Sequence, residues 1–393
     1  MVTIAGTGAG KSTGALIPNL CLHKGSLLCV DPKGELARIT AARRGQGGGG
    51  VTGMGQDVYV LDPFKITGIE SASYNVFDEM ARIAEQDIDA PVSYAGKVAE
   101  ALVEITGRDP YWDTAARRIL MGLILYVFQG PAEKRNLVQV RRLLMEGDKE
   151  GFEAGVRGGY ISRKNNDPFD AMLVTMQHCP PGPYRDTIAF AAGSLLQMGP
   201  NQLGSVLSTA QEHTAFLDLP EIRRISLSSD FLLEELKNRP MSVYLSIPLN
   251  AVSGVAGRWL RMFVLLLIDM MMRVQKAPKP PILLAIDEFP SLGKLDGIEV
   301  VAPGLRSYGV RFWVVGQDIE QFRKVYPDSW NTLIGGAEAV QFMGIKDPET
   351  VKMAVEFLNR HVIQRQGRRG GIPPERGGRT EPAGSRPGVA DPL

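Results

Sequence analysis

Two segments far apart in the chain carry residue types suited to chemistry on phosphate esters. The first is Ala5-Gly6-Thr7-Gly8-Ala9-Gly10-Lys11-Ser12-Thr13. Its glycines let backbone N–H groups converge on an anion, and the helix expected from about Lys11 adds its positive end. In such a loop Gly6, Thr7, Gly8, Ala9 and Gly10 cradle nucleotide phosphates. Lys11 reaches the β- and γ-phosphates, and Ser12, followed by Thr13, ligates magnesium. Ala5 stands where a glycine is usual. A chance Gly-rich turn would share this pattern, but the position between a strand end and a helix start favours phosphate binding.

The second segment is Ile282-Leu-Leu-Ala-Ile-Asp287-Glu288, an apolar run ending on two acids. Asp287 would hold magnesium, directly or through water, and Glu288 would orient and deprotonate an attacking water. A strand that merely stops at a polar Asp-Glu-Phe-Pro turn looks the same alone. Paired with the phosphate loop, the acids point to ATP and Mg2+ and to ATP hydrolysis.

Weaker candidates follow. Arg311-Phe-Trp-Val-Val-Gly-Gln317-Asp318 is again a strand with a polar end. Strands beside a phosphate loop gather their C-terminal ends around the ligand, so Gln317 can reach a γ-phosphate; a polar terminus without a role is an equal reading. Arg306, between those two strands, is either a finger aimed at a neighbour's nucleotide or a solvated arginine, and its residue type alone favours the second. Asp31-Pro-Lys-Gly-Glu35 puts acids after a strand, which a Pro-Gly turn explains equally well. Arg108 to Asp113, with Arg117 and Arg118, mixes aromatic and basic residues, but Trp112 anchoring a helix start is the simpler reading. His178-Cys179 has no partners at metal spacing and reads as structural.

The elements that must position these residues come from the apolar pattern. Thr3–Ala5 reads as a strand tail, Ser26–Asp31 as a central strand buried on both faces, and Val58–Leu61 as another. Pro18 should kink or shorten the first helix, and Gly45–Gly50 reads as a floppy loop. From about Phe77 to Ser228 the pattern is helical, as in Ala95–Glu104, Thr114–Phe128 and Asn201–Leu217. Strands return at Met241–Ile247, Ile282–Ile286, Arg311–Val315 and Ala339–Met343. Alternating strands and helices give an α/β fold with a mainly parallel sheet. The expected organisation is a nucleotide-binding domain in two parts, 1–77 and 229–360, an all-α inserted domain over 78–228, and a tail over 361–393. That tail is Gly-, Pro- and Arg-rich, with six Arg between 365 and 386 against Glu375 and Glu381, and is expected to be disordered.

Composition sets limits. The 393 residues carry a formal charge of +1, so a nucleic-acid surface must be a local patch or arise on assembly. Three cysteines at positions 21, 29 and 179 fit no zinc pattern and read as buried thiols in a reducing compartment. Trp259–Met272 is strongly apolar, but Arg261 and Asp269 interrupt it; a buried helix is expected there and a bilayer span is not.

Gly8-Ala-Gly-Lys-Ser with Ile17-Pro18, Asp31-Pro-Lys-Gly-Glu35, Asp287-Glu-Phe-Pro with Leu292-Gly-Lys294, Gln317-Asp with Gln321, and Trp330-Asn-Thr-Leu occur in this order. Together they resemble the conjugative coupling proteins of type IV secretion, the TraG/TraD-like group, over about residues 3–358. The resemblance implies a RecA-like P-loop ATPase split by an all-α domain, working as a homo-hexamer at the cytoplasmic face of the bacterial inner membrane. It places Lys11, Ser12, Asp287 and Glu288 on the nucleotide motifs, Gln317 on the γ-phosphate-sensing glutamine and Arg306 on the trans-acting arginine finger. The implied partners are single- or double-stranded DNA, relaxase and relaxosome proteins, and the secretion channel. Family members usually begin with a membrane anchor. This sequence opens almost at the phosphate loop, so a fragment or a separate membrane partner is expected. Two other readings are a nucleotide-gated docking receptor with little motor activity and another RecA-like DNA translocase; the Asp-Glu-Phe-Pro-x-Leu-Gly-Lys segment and the large helical insertion argue against the latter.

Overall fold

A computed structural model describes residues 1–105, 110–159, 161–163, 167–252, 254–295 and 297–369. Residues 1–346 form one compact unit and 347–393 a second. Among the described residues the first unit holds nine strands: β1 (Val2–Ala5), β2 (Leu27–Val30), β3 (Gly47–Gly48), β4 (Val51–Thr52), β5 (Asp57–Leu61), β6 (Met241–Leu245), β7 (Ile282–Ile286), β8 (Val310–Gly316) and β9 (Val340–Met343). Seven of them form a fully parallel sheet in the order β5-β6-β2-β7-β8-β1-β9. β3 and β4 pair as a small antiparallel hairpin, so the Gly45–Gly50 segment is not a plain loop.

The apolar runs explain the sheet. Every residue of β2, β6 and β7 is buried, as a parallel sheet covered on both sides requires. One face packs Leu27, Cys29, Leu283, Ala285, Trp313 and Val315 against Leu16, Leu20, Leu36 and Ala37 of the first two helical segments. Alternate residues Leu28, Val30, Leu284 and Ile286 are equally buried on the other face. Arg44, wholly buried, ends the helix Glu35–Arg44 and donates to the carbonyls of Leu20, His23 and Gly25 and to Gln56 and Ser242. It satisfies carbonyls in and just past the last turn of helix Ile17–Leu22, and shares the Gly25 carbonyl with Gln56. The helix Ala256–Arg273 is buried along most of its length; Arg261 pairs with Glu104 and Asp269 with Arg273.

Between β5 and β6 the described residues contain helices and no strand. The long helix Tyr111–Gln129 meets helices Ala90–Leu102, Leu137–Glu146, Arg185–Leu196 and Pro200–His213. Asn75, Asn136, Asp148 and Asp167 cap helix starts by accepting backbone N–H groups. Trp112 lies at a helix start but is only half-buried, against Tyr111; Arg108 and Asp109 lie outside the described residues.

The chain enters and leaves this layer at one place. The Ser73 amide donates to Asp230 and the Asp230 amide to the Ser73 carbonyl. The Asn75 amide donates to Ser229, whose hydroxyl donates back to the Asn75 carbonyl. Glu79, wholly buried, accepts from the amides of Leu233 and Glu234.

In the second unit a helix spans Pro348–Arg369. It runs beyond residue 360, where the tail was expected to begin, because no proline occurs between Pro348 and Pro373 to stop it. The rest of the tail lies outside the described residues.

Candidate nucleotide site

The phosphate loop leaves β1 at Ala5. The Gly6 amide donates to the Met343 carbonyl at 3.1 Å, and a Cβ on Gly6 would come within 2.5 Å of the Gly344 carbonyl, so the loop lies against the end of β9. Gly8 and Gly10 have φ of 76° and 77°, values that side chains other than glycine rarely adopt. The chain then winds a π-helical turn over Ser12–Leu16, closed by the Ile17 amide on the Ser12 carbonyl, before the short α-helix Ile17–Leu22. The wide turn comes immediately before Pro18, which lacks the N–H an ordinary turn would use.

Lys11 and the acidic pair meet, although 276 positions separate Lys11 from Asp287 in sequence. Lys11 Nζ lies 2.9 Å from Asp287 Oδ1 and 2.5 Å from Glu288 Oε1. Consecutive strand residues face opposite sides of a sheet, so two adjacent acids should not share one cation. Glu288 resolves this by leaving β7 in a left-handed conformation, φ 54°, which a non-glycine residue adopts at some cost. Gln317, just past β8, donates from Nε2 to Glu288 Oε2 at 3.2 Å and accepts from the Thr7 hydroxyl at 3.4 Å. Lys33 Nζ lies 3.7 Å from Glu288 Oε1. Asp318 caps the following helix by accepting from the Gln321 amide.

These groups line a cleft of about 300 Å3 formed by residues 5–13, Lys33, Glu35, Glu288 and Gln317. Ser12 is half-buried and Thr13 exposed at its wall. Burial pulls the Lys11 amine down, but the carboxylates of Asp287 and Glu288 outweigh it and hold it above its ordinary value. Burial pushes Asp287 up, against Lys11. Burial also acts on Glu288, but Lys11, Gln317 and Lys33 hold it below the usual carboxylate value. The donor set suits magnesium: a hydroxyl and carboxylates are hard oxygen ligands, and Asp287, only 2% exposed, already faces a cation.

Arg306 is not in this cluster. It sits on the turn Leu305–Tyr308 that leads into β8, exposed and paired with Glu338. β8 is seven residues long, so Arg306 lies at the strand-entry edge of the sheet, roughly 20 Å from the cleft at the far end. His178 is exposed beside buried Cys179, and no group of three potential metal ligands occurs among the described residues.

The segment left undecided in the sequence proves to belong to the site. Asp31 follows β2, next to β7, and is wholly buried beneath the cleft, while Lys33 and Glu35 line it. The signal available in the sequence was its place just after an apolar strand; that this strand adjoins the acidic one was not legible there. Burial pushes the Asp31 carboxyl up to about 6, opposed by the Ala37 amide that donates to it and reinforced by Asp287. Its unfolded value is near 3.8, so the folded state binds the extra proton between these values and stability falls as pH rises through that window. Asp31→Asn removes the titration. Its stability relative to wild type should therefore improve by roughly 2–3 kcal/mol between pH 4 and pH 7, read by urea denaturation at each pH.

With this geometry established, the model of the family "Type IV secretory system Conjugative DNA transfer" matches residues 1–359. The chain belongs to that family. It is 26% identical over 335 residues to a conjugal transfer protein TraG of Escherichia coli, covering 82% of this chain and 49% of TraG. It is 22% identical over 377 residues to the type IV secretion system-coupling protein VirD4 of Bartonella quintana, covering 93% and 54%. The chain thus spans about half the length of the curated relatives it matches. A solved structure of the plasmid coupling protein TrwB in complex with ADP and Mg2+ superposes with a TM-score of 0.60 at 17% identity, over 86% of this chain and 69% of that one. The fold is the RecA-like P-loop domain with an all-α insertion. Among the described residues no helix is long and apolar enough to cross a membrane.

Proposed function

We propose that this chain is the ATP-hydrolysing motor region of a type IV secretion coupling protein, driving DNA or a DNA–relaxase complex through a homo-hexameric ring. The observation that carries this reading is the convergence of Lys11, Asp287, Glu288 and Gln317 on one Gly-rich loop at the C-terminal edge of a parallel sheet. Residues 6–13 cradle the phosphates and Lys11 turns from the carboxylates to the β- and γ-phosphates. Ser12 and Asp287 hold Mg2+, which when bound offsets the charge of the phosphate oxygens. Glu288 accepts a proton from the attacking water as the γ-phosphorus–oxygen bond to the leaving ADP breaks, giving ADP and phosphate. Gln317 senses the γ-phosphate, and Arg306 reaches the site of the next subunit.

The nucleotide-binding residues 1–77 and 229–360 form the motor in this proposal, and residues 78–228 the substrate-facing insertion. Relaxosome proteins, DNA and channel proteins at the cytoplasmic face of the inner membrane are its partners. Relatives named as conjugal transfer and coupling proteins support this assignment. The test is ATPase activity against protein concentration, with and without DNA. Specific activity should climb steeply with concentration and rise again with DNA. A specific activity independent of both would remove the ring motor from consideration.

A further inference from the structure

We infer that Lys33 is a specificity-determining cation: it reads the terminal phosphate of the nucleotide and takes over Glu288 once Lys11 has moved to the phosphates. The inference rests on the nucleotide reading above and adds a residue to it. Lys11 and Lys33 are the two cations among the described residues that line the cleft. Both approach the same oxygen, Glu288 Oε1, at 2.5 and 3.7 Å. A phosphate chain that claims the Lys11 amine takes away the nearer partner of that oxygen. Lys33 is the cation left beside it, next to the carboxylate that the reading above assigns to the water attacking the γ-phosphate, a group that a diphosphate lacks.

An exposed lysine beside a glutamate is commonly a solvated pair of little consequence. Here the glutamate side chain is only 6% exposed, and the lysine is carried by a fixed loop. The Asp31 amide donates to Leu245 and the Gly34 amide to the Asp31 carbonyl, while the buried Asp31 carboxylate accepts from Ala37. Gly34 takes φ 64° with side-chain carbons of Ile66 and Thr67 3.0 Å from where a Cβ would lie, which pins the turn after Lys33 from outside. Such anchoring reduces the entropy lost when the amine engages a phosphate.

The experiment measures binding of N-methylanthraniloyl-ADP and of its non-hydrolysable triphosphate counterpart, each with Mg2+, to the full chain as wild type, Lys33→Ala and Lys33→Arg. Lys33→Ala removes a charge-assisted hydrogen bond to the terminal phosphate. It should weaken triphosphate binding about 10- to 100-fold and leave ADP within about twofold, and Lys33→Arg should restore most of the triphosphate affinity. Lys33→Gln, which keeps most of the side chain and a polar end but removes the charge, serves if the alanine variant does not fold. Equal losses for both nucleotides, or no loss for either, would overturn the role of Lys33 while leaving the nucleotide site standing. Wild-type protein that binds neither nucleotide would overturn the site and this inference together.

Discussion

Lys11→Ala should abolish ATP hydrolysis, lowering kcat by at least about 10²–10³-fold, the usual cost of removing a fixed positive group from a developing transition-state charge. Lys11 satisfies two acids, with side-chain exposures of 11%, 3% and 6% for Lys11, Asp287 and Glu288. The substitution therefore removes the cation that binds the phosphates and also leaves two neighbouring carboxylates with only half-exposed Lys33 nearby. Such a pair repels an incoming triphosphate, so affinity should fall along with rate. Steady-state phosphate release and equilibrium nucleotide binding measure the two effects separately. Retention of hydrolysis within tenfold of wild type would mean that the cleft at residues 5–13 is not where the chemistry occurs.

Glu288→Gln should behave differently. Glutamine keeps the volume of the side chain and its hydrogen bond with Gln317, but it accepts no proton. A lost general base costs about 10²–10⁴ in rate. Nucleotide binding should survive, because Lys11 is freed from one of its carboxylates while the loop glycines are untouched. The variant should therefore hold ATP without turning it over, which single-turnover hydrolysis set beside a binding isotherm will show. Hydrolysis close to wild type would transfer the base role to another group. Of the two substitutions this one probes chemistry alone, since the left-handed backbone at 288 places the same demand on glutamine as on glutamate.

Much of the architecture was legible because a parallel sheet buries both faces of its strands and so writes them as unbroken apolar runs. Ile282–Ile286 is recovered with its boundaries intact, and the helix expected over Trp259–Met272 spans Ala256–Arg273. The Gly45–Gly50 stretch failed as a reading because the pairing of Gly47–Gly48 with Val51–Thr52 depends on backbone partners that composition does not encode. The extension of the last helix to Arg369 failed similarly: Gly and Arg enrichment suggested disorder, while the absence of proline decided the backbone. At the site, Lys11, Asp287, Glu288 and Gln317 could be named from types and spacing. That Glu288 must twist out of its strand to share a cation with Asp287 could not, because alternation predicts the opposite. Asp31 and Lys33 were visible only as a turn, since their relevance comes from strand order: β2 adjoins β7 although some 250 residues separate them in the chain.

The separation of Arg306 from the cleft has a consequence for symmetry. The two groups lie at opposite ends of the strands of one sheet, so neither copy can complete its own cleft, and an antiparallel two-fold pair would bring each Arg306 to the other's cleft and stop at two subunits. For Arg306 to serve a neighbour in any larger cyclic assembly, subunits join head to tail, each offering one end and receiving the other. Contacts of that polarity either close on themselves or grow without end, and the rotation from one copy to the next decides which.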